Sequence, residues 1–387
     1  MSLFLSHLPS PAGKQRIYLD HAATTPVCDA ARQAMALGLE RWANPSSPHA
    51  EGRAAREALE DARMRVKAAL DWDGHVIFTS GASEAIAIAL TRAKAEHVVT
   101  SAVEHDAVLR VVECAERLSV DEHGIVQFSR HPREGGDPAH ALSPDVASEM
   151  DFRLRGNDER KTLFAVQHVN NETGVIQPIA ELAARIHEGG GWLFCDCAQS
   201  AGKLSLPLQA DMIAVSAHKF GGPPGIGALL MRDLALLRPS GGQEQGYRGG
   251  TENVPAALAM AAALEQDKGW MAEAARLRSM LDGALRASGG EVVADDAERI
   301  PTIASYRMPG VAARAQLIRF DMAGIAVSAG AACSSGTLKT SPVLKAMGWS
   351  DKAADEVIRV SFGPQTSEDD VHVFITLWCE MAAQKAA

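Results

Sequence analysis

Hydrophobic and polar positions along this chain follow two periods. From Glu51 to Leu70, Ala55, Leu59, Ala62, Val66 and Ala69 recur at helical spacing while the charges fall elsewhere, which predicts an amphipathic helix. Cys28 to Trp42 reads as the helix before it. The Asn44–His49 segment, with two prolines and small polar residues, reads as the turn between them. Short apolar runs bounded by polar residues predict strands at His75–Thr79, His97–Ser101, Leu163–Val169, Trp192–Asp196, Met212–Ser216 and Ala228–Met231. The last of these is expected to be antiparallel at the sheet edge. Helices are expected over Ala85–Ala95, Val108–Leu118 and Ile179–Glu188. Strands alternating with helices predict an α/β fold with a mostly parallel sheet. Val254 to Ala287 read as mainly helical and lead into a second region, with shorter strands at Ala304–Arg307, Ala326–Ser328 and Val357–Ser361.

Composition narrows this picture. A chain of 387 residues is long enough for two domains with substantial cores. The expected division is a large domain over residues 17–264 and a small α+β domain made of 1–16 and 265–387. With 47% apolar and 22% charged residues the chain reads as soluble and globular, and a net charge of −10 argues against general nucleic-acid binding. No apolar run is long enough to span a membrane, and Met1–Arg16 lacks a signal-peptide layout. Six cysteines scattered through a long chain fit reduced thiols in a cytoplasm better than a disulfide framework. Cys195 and Cys197 alternate with Asp196, yet no second pair has the spacing of a zinc site. Ser129 to Lys161 breaks the pattern. It is rich in charge, glycine and proline, shows neither period, and reads as an exposed inserted loop over about 129–160. It resembles peptides encoded by repetitive palindromic DNA elements.

Candidate chemistry gathers after the strands. Lys219 follows Met212–Ser216, and Asp196 ends the preceding strand. In open α/β sheets ligands bind outside the carboxyl ends of the strands. A lysine able to form a Schiff base and an acid facing a pyridinium nitrogen are what pyridoxal phosphate requires. Ser80-Gly81-Ala82-Ser83-Glu84 stands between a strand and a helix, where free backbone N–H groups suit a phosphate; an ordinary helix cap is the equal alternative. His105 follows another strand. Cys333 is surrounded by Gly, Ala and Ser, the setting of a thiol outside a core, where a reactive sulfur and an inert one are both open readings.

Taken in order, Tyr18–Pro26, Asn44–His49, Thr79–Glu84, His168–Gly174, Asp196–Lys203, Ser216–Lys219, Arg248–Asn253, Ser328–Gly336 and Ile358–Gly363 resemble the motifs of the cysteine desulfurases. These belong to the class V aminotransferase group of fold-type I pyridoxal-phosphate enzymes, which implies a large domain with a mostly parallel, seven-stranded-type sheet flanked by helices and a smaller α+β C-terminal domain. The resemblance implies that pyridoxal 5′-phosphate is held by Lys219, with Asp196 at the ring nitrogen, Gln199 at the ring hydroxyl and His105 stacked on the ring. Ser83, Ser216 and His218 would bind its phosphate, joined by Thr251 from the partner of a homodimer. Asn171 and Arg359 would bind the carboxylate of L-cysteine, and Cys333 would accept sulfur for an acceptor protein. That acceptor would serve iron–sulfur cluster assembly or tRNA thiolation. The long loop carrying Cys333 resembles the group with a flexible cysteine loop. Ser83, Ala85, Ile86 and Pro224 depart from the usual pattern without removing a catalytic group. A selenocysteine lyase or another transaminase of this fold, and a non-catalytic cysteine or metal scaffold, are the competing readings. Cys333 discriminates against the first and Lys219 against the second.

Overall fold

A computed structural model describes residues 16–130, 161–330 and 340–386. In chain order the elements begin with β1 (Ile17–Tyr18), α1 (Asp29–Leu39), α2 (Ala50–Ala69), β2 (His75–Thr79), α3 (Ala82–Arg92), β3 (His97–Ser101) and α4 (Asp106–Leu109). They continue with β4 (Glu116–Val120), β5 (Val126–Arg130), β6 (Thr162–Gln167), α5 (Ile179–Glu188), β7 (Trp192–Asp196), β8 (Met212–Ser216), β9 (Gly227–Met231), α6 (Val254–Leu264) and α7 (Trp270–Ala287). The remainder is β10 (Glu291–Val292), β11 (Ile303–Arg307), α8 (Ala313–Met322), β12 (Ile325–Ala326), α9 (Pro342–Ala346), α10 (Asp351–Ala354), β13 (Val357–Ser361) and α11 (Glu368–Ala386). The described residues fall into two compact units. One takes Pro26–Asn170 and Ile176–Gln266; the other takes Met1–Thr25, Asn171–Val175 and Asp267–Ala387.

The larger unit is built on an eight-stranded sheet in the order β2-β9-β8-β7-β6-β3-β4-β5. The run β8-β7-β6-β3-β4 is parallel. Alternation along each strand sends one set of side chains to each face. Leu193 and Cys195 of β7, Ile213 and Val215 of β8, and Phe164 and Val166 of β6 pack with α2, α5 and α6. Phe194, Met212, Ala214, Leu163 and Ala165 pack on the other face with α3. Cys195 and Cys197 are therefore core residues on the face away from the one that Phe194 occupies. Among the described residues no cluster of three or more His, Cys, Asp or Glu could hold a metal, and no helix is long and apolar enough to cross a membrane.

Three expectations are corrected. The predicted helix Val108–Leu118 is a single turn, α4, followed by turns and then β4. β4 pairs in parallel with β3 and antiparallel with β5. The hairpin is closed by Asp121, whose Oδ1 accepts from the backbone N–H groups of His123 and Ile125, and by Gly124 at φ 82°. These non-local pairings override helical periodicity. Ala228–Met231 is antiparallel, as expected, but lies inside the sheet between β2 and β8, and β2 is the edge. Ser129 and Arg130, expected in the inserted loop, close β5 instead; the rest of that expectation, residues 131–160, lies outside the described residues.

The smaller unit carries a three-stranded antiparallel sheet, β10-β11-β13, and a two-stranded parallel pair, β1-β12. Leu277, Leu281, Tyr306, Phe320, Phe374 and Trp378 form its core. The chain after β1 continues along β13, where Ser361 N–H donates to the Leu19 carbonyl and Asp20 bridges to Ser361. Sequence-distant ends of the unit thus meet beside Arg359.

Candidate functional site

Register in the large sheet sets out the first group of residues. Gly227, at the start of β9, is paired with Thr79 on one side and Ser216 on the other. A side chain at Gly227 would meet Val215 O at 2.4 Å and Gly81 Cα at 2.7 Å, so only glycine permits this approach. The result is that the turn entering α3 lies against the end of β8. No side chain caps α3. Gly81 holds the N-cap position at φ 153°, and the atom nearest a Cβ built there is Ser216 Oγ. The first-turn N–H groups of an eleven-residue helix and two serine hydroxyls, Ser216 and the exposed Ser83, form a cradle suited to an anion.

Ala217, His218 and Lys219 follow β8 as one turn of 3₁₀ helix. Burial pushes His218 down to about 4, with the charges of Lys219 and Lys203 adding to the effect, so its imidazole is neutral at pH 7. Lys203 is itself buried and donates to the Gln199 carbonyl at 3.2 Å, closing the turn that follows β7. Asp196 ends β7. It is buried, its Oδ1 accepts from Ala198 N–H at 2.9 Å, and its backbone O accepts from His168 N–H. Burial raises its carboxyl, while the Ala198 bond and the charges of His105 and Lys219 oppose that rise. A buried acid at the end of a strand, with Lys219 close by, fits the partner of a protonated ring nitrogen. His105 caps α4, its Nδ1 accepting from Ala107 N–H at 3.1 Å, and is exposed. Gln199 is buried in the turn after Asp196. Thr251 is exposed, just beyond Arg248, whose Nε donates to Glu84 Oε1 of α3 at 2.9 Å.

Sequence reasoning passed over Glu104. It is buried, its Oε1 accepts from Ser101 Oγ at 2.5 Å and from Gln167 N–H at 3.0 Å, and burial drives its carboxyl up to about 8, aided by the charge of Asp196. Gln167 pairs in register with Asp196, which places Glu104 among the same strand ends. The only sequence signal was its position next to His105.

In the smaller unit Arg359 of β13 is 3% exposed. Its Nη1 donates to the Asn171 carbonyl at 2.8 Å and its Nη2 to Asp20 Oδ1 at 2.9 Å; its Nε is buried with no partner among the described residues. A guanidinium fork with one N–H waiting for an acceptor suits a carboxylate. Asp20 and Glu172 were not singled out from the sequence. Glu172 Oε2 accepts from Ser341 Oγ at 2.6 Å. Cys333 lies outside the described residues.

The donor sets therefore fit a phosphate-bearing pyridine cofactor in the larger unit and a carboxylate in the smaller one. The profile of the class-V aminotransferases matches residues 17–374. The cysteine desulfurase of Gluconacetobacter diazotrophicus is 36% identical over 377 residues, spanning 92% of this chain and 90% of that protein. The chain belongs to the cysteine desulfurase family of class-V aminotransferases. The solved structures agree. A NifS-like protein superposes with a TM-score of 0.81 at 27% identity, covering 95% of this chain and all of that one. SspA in complex with cysteine superposes at 0.72 and 27% identity, covering 91% of this chain and all of that one. The fold-type I α/β architecture expected from the motifs is thereby established, as is an enzyme of this family.

Proposed function

We propose that this enzyme binds pyridoxal 5′-phosphate at Lys219 and removes sulfur from L-cysteine, leaving L-alanine and a persulfide on Cys333. The observation that carries the reading is the buried carboxyl of Asp196 under the charge of Lys219, in a chain of this family. When bound, the cofactor supplies an electron sink that weakens bonds at the substrate's Cα and Cβ.

The chain's own residues supply the rest. The α3 N-terminus, Ser83, Ser216 and neutral His218 bind the phosphate, with Thr251 contributed by the partner of a homodimer. Asp196 would keep a proton on the ring nitrogen, Gln199 would hold the ring hydroxyl, and His105 would lie against the ring. Arg359 and Asn171 bind the substrate carboxylate. Lys219, as a neutral amine, would take the Cα proton of the substrate and return it. The Cys333 thiolate attacks the substrate sulfur: the Cys333 S–S bond forms, the Cβ–S bond breaks, and the electron pair left on Cβ takes up a proton to give alanine. Cysteine and one enzyme thiol become alanine and one enzyme persulfide, with no outside oxidant. The persulfide sulfur passes to an acceptor protein in the cytoplasm, for iron–sulfur cluster assembly or tRNA thiolation.

Lys219→Ala tests the assignment. The variant is expected to lose the covalent attachment of cofactor, read as the visible absorption that survives gel filtration, together with all alanine formation. Wild-type turnover by Lys219→Ala would overturn it.

A further inference from the structure

One sequence-distant loop, residues 238–248, is tied to both ends of α3. At the C-terminal end Arg92 Nη1 donates to Ser240 Oγ at 2.6 Å and to the Tyr247 carbonyl at 2.9 Å, and Arg238 N–H donates to the Arg92 carbonyl. At the N-terminal end Arg248 Nε donates to Glu84 Oε1 at 2.9 Å. Between these ties Glu244 fastens the loop to α2 and β2. Its side chain is buried, and it accepts from Phe78 N–H at 2.8 Å and from the two Nη atoms of Arg63 at 2.7 and 3.1 Å. Glu244 and Gln245 stand at φ 48° and 58°, a left-handed conformation that residues other than glycine rarely adopt. Such a pair persists only where the surrounding contacts over-determine it, and the bonds to the Glu244 carboxylate do so here.

Glu84 is the third residue of α3. Its Oε2 accepts from Ser80 N–H at 2.5 Å, so the carboxylate sits in the same turn whose free N–H groups form the anion cradle. Burial opposes its ionisation, yet the Ser80 bond and the Arg248 guanidinium hold the carboxyl below the usual glutamate range. Glu84 is therefore charged at pH 7. A carboxylate in the first turn of a helix stabilises that turn when no other anion is there. Beside a phosphate it has the opposite effect, because like charges at close range repel. The cradle needs a cation on Glu84. His218, the imidazole assigned to the phosphate, is neutral and cannot supply it, whereas the loop brings Arg248 to that carboxylate.

We propose that Arg248 is a positioning residue for the cofactor phosphate. It acts through Glu84, neutralising that carboxylate and steadying it on Ser80, so that the first turn of α3 offers its N–H groups to an anion without a competing negative charge. The proposal rests on the cofactor reading above, and the test separates the two.

Cofactor-free protein is titrated with pyridoxal 5′-phosphate and with pyridoxal, which has the same ring and aldehyde but no phosphate. The readout is the ratio of the two dissociation constants. Arg248→Ala is expected to weaken pyridoxal 5′-phosphate binding about tenfold or more, the scale of losing a hydrogen-bonded charge partner, and to leave pyridoxal within about twofold of wild type. Glu84→Gln removes the charge and keeps an acceptor for Ser80 N–H. Alone it should bind pyridoxal 5′-phosphate as tightly as wild type or more tightly. Added to Arg248→Ala, it should restore the ratio to within about threefold of wild type, as expected of a directly coupled pair. Should Arg248→Ala fail to fold, Arg248→Gln, neutral and of similar reach, carries the same comparison. Loss of affinity for both ligands by the same factor would make Arg248 merely structural and overturn the proposal. So would an Arg248→Ala defect that Glu84→Gln leaves untouched. Equal affinity of the wild type for the two ligands would instead overturn the cofactor reading itself.

Discussion

The two polar clusters of this protein are built in opposite ways. In the larger unit the acids are the groups under stress: Asp196 and Glu104 are buried at strand ends, and burial drives both towards the protonated form. Lys219, a half-buried lysine, supplies the counter-charge for Asp196. In the smaller unit a buried cation stands at the centre, and Asp20, the buried Glu172 and a backbone carbonyl arrange themselves around Arg359. The first arrangement suits a cofactor with a ring nitrogen and a phosphate. The second suits an acceptor carboxylate. The difference also lies in how the chain brings the parts together. Asp196, Gln199 and Lys203 occupy one turn, and Ser216 to Lys219 another, so most of the first cluster is local in sequence. Arg359 meets Asp20 across 339 residues and Asn171 across 188.

Substitutions at the two clusters should therefore fail differently. The largest effect is expected from Asp196→Ala. It should slow exchange of the substrate Cα hydrogen roughly 100- to 1,000-fold, the scale of losing one electrostatic partner of a reacting group, even in protein that retains cofactor. Exchange at the wild-type rate would remove Asp196 from the chemistry. Arg359→Ala should act on substrate binding instead, raising KM for L-cysteine about 10- to 100-fold through loss of a charged hydrogen-bonded pair. Arg359→Lys should restore little, because an ammonium cannot bond to the Asn171 carbonyl, Asp20 and a carboxylate in one plane. A variant that lost kcat with KM intact would contradict the division between the clusters.

Glu104 sharpens the comparison through pH. Its folded-state carboxyl titrates at about 8, above the ordinary value of a glutamate, because burial favours the neutral form. Between those values the folded state holds a proton that the unfolded state has released. Stability from this group is therefore complete at low pH and is lost as pH rises towards 8. Glu104→Gln should remove that slope, at most about 1.4 kcal/mol per pH unit, so the variant gains on wild type between pH 5 and pH 8 in urea melts. A parallel pair of pH profiles would show that Glu104 is not the group responsible. The smallest effect is expected outside both clusters. Replacing residues 131–160 with a short Gly/Ser linker should leave melting temperature and turnover nearly unchanged, since loop length costs little in stability. A collapse in soluble yield would contradict this.

What the sequence made legible follows the same line. Strands buried on both faces and amphipathic helices such as Ala50–Ala69 were readable from period alone, as were the lysine and acid placed just past their strands. Val108–Leu118 misled, because its apolar spacing suits a helix while its last residues form β4 of a hairpin that turns at Asp121–Gly124. The interior place of β9 was not readable either, since strand order depends on partners from distant segments. Glu104, Glu172 and Asp20 escaped notice for a related reason. A carboxylate gives no sign in sequence that it is buried, and what makes these three notable is the set of distant groups around them.

The central claim is that Cys333 takes the sulfur while Lys219 and the larger unit prepare it. The direct measurement is a single turnover of cofactor-loaded wild type and Cys333→Ser with L-cysteine, following alanine release and the mass of the peptide containing residue 333 in the same samples. The account predicts one alanine per site and a 333 peptide heavier by one sulfur atom in wild type. In Cys333→Ser it predicts unchanged cofactor absorption before substrate, no added sulfur and alanine release slowed at least 100-fold, the scale of losing a covalent nucleophile's contribution. Alanine released at the wild-type rate by Cys333→Ser would contradict it.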